Sequence, residues 1–556
     1  MGSRISSTRR LAALALAGTL ALSGCGAAGS AGDNGTTSSN GAPHSGGILR
    51  IAEPTEILNC IDPSQAAWTP TRSLVRQFAE SLTDQDPETG EIKPWLASDW
   101  TVGNDGKTYT FNLKHGITFS NGEPFNADAV VANFNAFLDE ANSGIGPITY
   151  ITGLESVTKV DDDTVTFTFS QPNAAFLQAT STTTLGLLAP ESLKQTPQER
   201  CHGKNLYGTG PFTLTQWDIS SKTTLARREG YNSPSPFETR SKGDAYLEGI
   251  EVSYIPEQSV RTGSLAGGQI DAIWQAAEGE IYENEAAQIK AAGGTIQSRA
   301  IPGTSYDIYP NVRDESRPLS DKDVREAVSL ALDRAAYAHT VYRQDYPVVK
   351  GILGSSTPMF QATPDAIKYD VDRANDLLDK AGWKLGEDSY RYKDGRKLTL
   401  VLLDFVKNPG QDLLVDQLRQ VGADLQIEIS TWSDSVNKEK TGEYDLSMLW
   451  SYTRSDPSAI DNLLNVKDGT GNKYARWNIA NAEQRAKLDA LFSAGIKELD
   501  SAKRESIYKE LQQYLADEYL QIPIYERVGD LALGANVHDV RFTAESFISL
   551  YGTWID

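Results

Sequence analysis

Leu398-Thr399-Leu400-Val401-Leu402-Leu403 is a nearly unbroken apolar run. A short run of this kind reads as a strand buried on both faces, as in sheets covered by helices above and below. Suitable helices flank it. Arg373 to Gly382 reads as a helix with Leu377 and Leu378 inside and Gly382 as its C-terminal stop. Ser320-x-x-Asp323 forms a capping box and opens a helix with Val324, Ala327, Val328, Ala331 and Leu332 on one face. Toward the N-terminus, Thr108-Tyr109-Thr110-Phe111-Asn112-Leu113 and Thr164-Val165-Thr166-Phe167-Thr168-Phe169 alternate as half-buried strands do. Between them Asn126 can cap a helix that places Val130, Phe134, Phe137 and Leu138 on one side. Strands and helices interleave throughout, which predicts an α/β fold.

The first residues are not part of that fold. Arg4, Arg9 and Arg10 precede an apolar stretch from Leu11 to Leu22, too short to span a bilayer as a mature helix. It closes on Leu22-Ser23-Gly24-Cys25. This is the layout of a secretory signal, and its ending resembles a bacterial lipobox, in which cleavage leaves a diacylated Cys25 as the first residue. The alternative is a plain secretory signal with an incidental Cys. Residues 1–24 are thus read as a leader, and 25–47 as a flexible tether of mostly Gly, Ala, Ser, Thr and Asn. The folded body begins at Ile48 and is long enough for two or three lobes with their own cores.

With 52 Lys and Arg against 74 Asp and Glu, the net charge of −22 argues against nucleic acid as a partner. Cys60 and Cys201 remain after Cys25, an even number that in an oxidising compartment suggests a disulfide, the alternative being two buried free thiols. Two Cys and five scattered His give no spacing for a zinc site, and no metal or cofactor is expected. Gly208-Thr209-Gly210-Pro211-Phe212-Thr213 starts like a dinucleotide loop and breaks the pattern at Pro211. Asp84-Gln85-Asp86-Pro87-Glu88-Thr89-Gly90 lacks the Gly and Glu of a calcium loop and reads as a turn between strands. No nucleophile elbow, metalloprotease motif or P-loop occurs, so no residue stands behind an enzymatic reading.

Several segments together resemble the family 5 extracellular solute-binding proteins of ABC importers, which include oligopeptide-, dipeptide- and nickel-binding receptors. They begin with Phe78-Ala79-Glu80-Ser81-Leu82, Asp86-Pro87-Glu88-Thr89-Gly90-Glu91-Ile92-Lys93-Pro94-Trp95-Leu96-Ala97 and Trp100. Phe111 to Phe119 and Asn121-Gly122-Glu123-Pro124-Phe125 continue the match, followed by Gly208 to Phe212, Asp323 to Ala327, Leu332-Asp333-Arg334, Ala381-Gly382-Trp383, Tyr444-Asp445 and Asp456-Pro457. The resemblance implies a two-lobe periplasmic-binding-protein-like fold of the large, three-subdomain type, with a hinge of crossing strands. Lobe I would gather residues 48–80, 205–305 and 526–556, with 81–204 a subdomain packed on it. Lobe II would be 306–525.

By the same resemblance the solute would touch Ala67, Trp68, Trp274, Trp432 and Trp450, because aromatics on facing lobes suit a clamp. Peptide-binding members usually place an Asp three residues before the Asp-Pro dipeptide, for the peptide's ammonium. Here Thr453 stands at that position, with Arg454 beside it. Either another acid such as Glu53 or Glu56 takes that role, or the solute lacks a free amino terminus. Arg454 offers a fork for a ligand carboxylate or phosphate, or else pairs with Asp456 or Asp461. The expected protein is a monomeric, lipid-anchored receptor without catalytic activity, which hands a small solute to an ABC permease. A peptide is the first choice; a non-peptide carboxylate, a metal chelate or a sugar are the alternatives. An envelope hydrolase or a signalling lipoprotein are the readings of another class.

Overall fold

In a computed structural model, Thr399–Leu403 of this run lies in the strand Thr399–Asp404 of a five-stranded sheet, with Leu398 just before it. The structure describes residues 41–54, 60–66, 68–139, 145–275, 281–448, 451–465 and 478–556; Cys25, Glu56, Ala67 and Trp450 lie outside them. Thr399–Asp404 is flanked by the parallel strands Asp424–Ile429 and Leu446–Ser447, and Leu400, Leu402 and Leu403 are fully buried. Tyr306–Pro310 and Ile522–Tyr525 complete this sheet. Helices Lys322–Leu330, Val371–Lys380 and Gly410–Gln420 cover it through Val324, Val328, Leu377, Leu378, Leu414 and Leu418. A second cluster joins its other side to the helices Ala482–Lys497 and Ser501–Asp517.

A seven-stranded sheet forms the other main layer, in the order Thr295–Ala300, Val528–Leu533, Ala272–Gln275, Ile48–Glu53, Gly249–Tyr254, Lys222–Arg227 and Phe212–Asp218. Ile48–Glu53 runs parallel to both Gly249–Tyr254 and Ala272–Gln275. Helix Thr69–Phe78 packs on one face through Leu74, Val75 and Phe78. Thr108–Leu113 and Thr164–Phe169 pair in a separate four-stranded sheet with Ala97–Val102 and Leu154–Asp161, around a core of Tyr109, Phe111, Phe134, Phe167, Phe169 and Phe176.

Two connections join the large sheets. Thr295–Ala300 pairs with Val528–Leu533 in the seven-stranded sheet, and its continuation Tyr306–Pro310 pairs with Ile522–Tyr525 in the five-stranded one. The crossings therefore run side by side, tied by the Ile301 amide donating to the Arg527 carbonyl at 2.8 Å. Gly303 lies on one of them at φ +108°, where an added Cβ would stand 1.9 Å from the Tyr452 carbonyl oxygen, so only glycine fits.

Local readings hold with three adjustments. Asn126 caps Ala127–Leu138 by accepting from the Ala129 amide at 3.0 Å, but Leu138, the last residue of the helix, is exposed. Asp321, not Ser320, caps the next helix, accepting from the Asp323 amide at 2.9 Å; Ser320 is engaged one turn earlier, donating to the Arg317 carbonyl at 2.8 Å. Val371–Lys380 starts two residues earlier than its pattern indicated because Asp370 caps it, and Gly382 follows it at φ +88°. Asp86 closes the turn after Thr83–Gln85 by accepting from the amides of Glu88 and Thr89. Cys60 and Cys201 form a disulfide beside the buried ion pair of Asp62 with Arg200 (2.6 Å).

Candidate functional site

In open α/β sheets, ligands bind outside the carboxyl ends of the parallel strands, where loops diverge and backbone groups point outward. Both lobes bring candidate residues to such ends. Trp68 precedes helix Thr69–Phe78 on the connection that leaves Ile48–Glu53. Trp432 begins the helix that follows Asp424–Ile429, with its ring edge-on to Phe405 at 4.9 Å. Thr453 and Arg454 follow Leu446–Ser447. Trp68 and Trp432 are 43 % and 41 % exposed, unusual for side chains of that size.

Trp274 is different. It is 0 % exposed, packed against Phe542 within the core of the seven-stranded sheet, with its indole N–H unpartnered. Glu53, which is level with it on the adjoining strand, is also fully buried, and neither carboxyl oxygen has a partner among the described residues. Burial pushes the Glu53 carboxyl well above its ordinary range.

The segment 452–455 binds the crossing strands and the four-stranded subdomain together. The Tyr452 amide donates to Thr304 Oγ1 at 3.0 Å, and the Thr304 amide returns a bond to the Tyr452 carbonyl at 3.0 Å. The Arg454 amide donates to the Pro302 carbonyl at 3.2 Å. The Thr453 hydroxyl accepts from Arg527 Nη2 at 2.9 Å. From the subdomain, Thr149 Oγ1 lies 2.7 Å from the Tyr452 hydroxyl, and Gln85 Nε2 donates to the Ser455 carbonyl at 2.9 Å. Arg454 Nε donates to Gln178 Oε1 at 2.9 Å, with its guanidinium 4.5 Å above the centre of the Tyr150 ring.

Neither carboxylate proposed as a structural partner of Arg454 takes that role. Asp456 is held by Arg504 through two bonds, Nη2 to Oδ1 at 2.7 Å and Nη1 to Oδ2 at 2.8 Å. Burial works against ionising Asp456, but the charge of Arg504 and its bonds keep the carboxyl well below the usual range. Asp461 accepts from the Tyr508 hydroxyl at 2.9 Å, and burial pushes it up to about 8. Gln178, Tyr150 and Arg504 were not legible as site residues: each sits in an ordinary helical context and meets Arg454 or Asp456 across a large sequence separation. Among the described residues no group of His, Cys, Asp and Glu is placed to hold a metal ion.

Two α/β lobes hinged on a pair of crossing strands, with the polar segment 452–455 bonded beside the hinge, are the architecture of a two-lobed solute-binding protein. Residues 91–473 match the model of the bacterial extracellular solute-binding proteins, family 5, and the chain belongs to that family. It is similar to the nickel-binding periplasmic protein of Escherichia coli K12, 24 % identical over 493 residues that cover 86 % of this chain and 90 % of that one. It is 25 % identical over 536 residues to di/tripeptide-binding protein 1 of Pseudomonas aeruginosa UCBPP-PA14, covering 89 % of this chain and 94 % of that one. Among solved structures, NikA of Brucella suis in complex with Fe(III)-EDTA superposes with a TM-score of 0.78 at 22 % identity, covering 91 % of this chain and all of NikA. The oligopeptide-binding protein AppA of Bacillus subtilis, in complex with a nonapeptide, gives 0.71 at 21 % identity over 93 % of this chain and all of AppA. The protein is thus an extracytoplasmic solute-binding component of an ABC importer, a binding protein rather than an enzyme. No helix of the described residues is long and apolar enough to cross a membrane.

Proposed function

We propose that this receptor is held at the outer face of the cytoplasmic membrane by a lipid on Cys25, captures a small peptide between its lobes, and delivers it to a permease. Residues 48–80, 205–305 and 526–556 serve as lobe I, with 81–204 packed on it, and 306–525 as lobe II. The observation that carries the reading is that exposed Trp68, exposed Trp432 and the 452–455 segment each follow, along the chain, a strand that has a parallel neighbour, in one or the other of the two large sheets. Closing the lobes removes water from whatever lies between them and strengthens polar contacts there. Trp450 and Ala67 complete this surface in our assignment, and Trp274 is assigned to packing.

The relatives that bind di- and tripeptides support a peptide as the solute. Thr453 favours a second reading, a non-peptide carboxylate or metal chelate, because no ionised acid lies at that position for a peptide's ammonium. Native mass spectrometry of protein purified without denaturation distinguishes them by the mass of the retained solute. Trp68→Ala and Trp432→Ala are each expected to weaken that solute's binding at least tenfold, about 1.4 kcal/mol. Unchanged affinity in both variants would move the site elsewhere. For the anchor, Cys25→Ser is expected to abolish palmitate labelling and leave an uncleaved precursor. Processing and labelling as in the wild type would reject Cys25.

A further inference from the structure

Arg454 carries a charge that no carboxylate among the described residues pairs with directly, although the field of Asp456 offsets part of it. It is 2 % exposed, and Gln178 is the one described group to which its side chain donates. Its Nη2 is buried and donates to no described group, and neither does the adjacent Gln178 Nε2. The two carboxyls within its electrostatic reach are both committed: Asp456 to Arg504, and Asp461 to Tyr508 in a protonated state. Arg72, which donates to the hydroxyl of the same Tyr150, is paired with Glu545 at 2.8 Å. The Tyr150 face below Arg454 supplies less than it costs to bury a guanidinium. Thr453 is consistent with this arrangement. An Asp at that position would compete for the guanidinium, whereas the threonine hydroxyl is occupied by Arg527.

We propose that Arg454 of lobe II and the side-chain amide of Gln178 from the opposite subdomain form the anion-recognition site of this receptor, and that its solute bears a carboxylate bound there. This rests on the solute-receptor reading but not on the solute being a peptide. A guanidinium presents parallel N–H donors that fit the two oxygens of a carboxylate, and the Gln178 amide adds a donor from across the cleft. The donors converge only when the lobes are together, so a carboxylate binds the closed form in preference to the open one.

Calorimetry on the full chain, freed of retained solute by dialysis in mild denaturant, tests this with three probes: trialanine, its C-terminal amide, and citrate. At least one of the two carboxylate probes is expected to bind the wild type, with affinity falling thirtyfold or more in Arg454→Met and several-fold in Gln178→Ala. Trialanine is expected to bind the wild type at least tenfold more tightly than its amide, and the difference to vanish in Arg454→Met. The melting temperature of solute-free Arg454→Met is expected to equal or exceed that of the wild type, because an uncompensated charge has been removed. If citrate binds and trialanine does not, the peptide reading falls while the anion site stands. Failure of both acids to bind the wild type overturns the proposal. So does equal affinity for trialanine and its amide, or wild-type affinity for the acids in both variants. A lowered solute-free melting temperature in Arg454→Met also overturns it, since that would make Arg454 a structural tie between the lobes.

Discussion

Asp456→Ala is expected to destabilise the protein by about 3–5 kcal/mol, the usual cost of removing one partner of a buried ion pair. Arg504 would be left buried with its charge exposed to no carboxylate, because Asp461 is protonated and already engaged by Tyr508. Three further consequences follow from the same carboxylate. Asp456 Oδ1 accepts from the Ser458 amide at 2.9 Å, where the chain turns into helix Ala459–Leu464. Its field also compensates part of the charge on Arg454. And Arg504 anchors the helix Ser501–Asp517 to the segment that carries the candidate site. Denaturant unfolding of Asp456→Ala and Asp456→Asn measures the effect. The Asn variant keeps one acceptor and should lose less. A change below about 1 kcal/mol in the Ala variant would mean that the pair is solvated and worth no more than a surface bridge.

Loss of the disulfide is expected to cost about 2–5 kcal/mol. The bridge spans 141 positions, so most of its contribution comes from restricting the unfolded chain, and the entropy of closing so long a loop allows ~5 kcal/mol at most. Locally it fastens the segment after Ile48–Glu53 to the end of helix Pro197–Cys201, next to the Asp62–Arg200 pair. The double variant Cys60→Ser with Cys201→Ser therefore affects both the unfolded state and the fastening of these two segments. Its midpoint of denaturation should fall while the solute, once identified, still binds under native conditions. Peptide mapping without reductant checks the premise: both thiols found free to alkylate would remove it.

Much of the fold is written locally. The alternation in Thr108–Leu113 and Thr164–Phe169, the cap at Asn126, the apolar run at Leu398–Leu403 and the left-handed Gly382 each depend on residues within a few positions, and each forms as its pattern indicates. Where local readings missed, a neighbour with better geometry took the role, as Asp321 did from Ser320. Tryptophan illustrates the limit. Trp68, Trp274 and Trp432 are alike as letters in a sequence, yet two are exposed at the starts of helices and one is sealed in a core. Which face of a sheet is covered depends on helices contributed from elsewhere in the chain.

The sequence by itself determined that this chain is α/β and that Thr453 stands beside Arg454 without an acid. Short-range patterning, composition and a dipeptide's spacing are sufficient for those conclusions. Only the tertiary structure decided what Arg454 meets. Its neighbours Gln178 and Tyr150 come from 276 and 304 positions away, and Asp456, two residues along, is held instead by Arg504 from 48 positions away. Electrostatic partnership in a buried site is set by distance and desolvation in three dimensions, and neither quantity is carried by proximity along the chain.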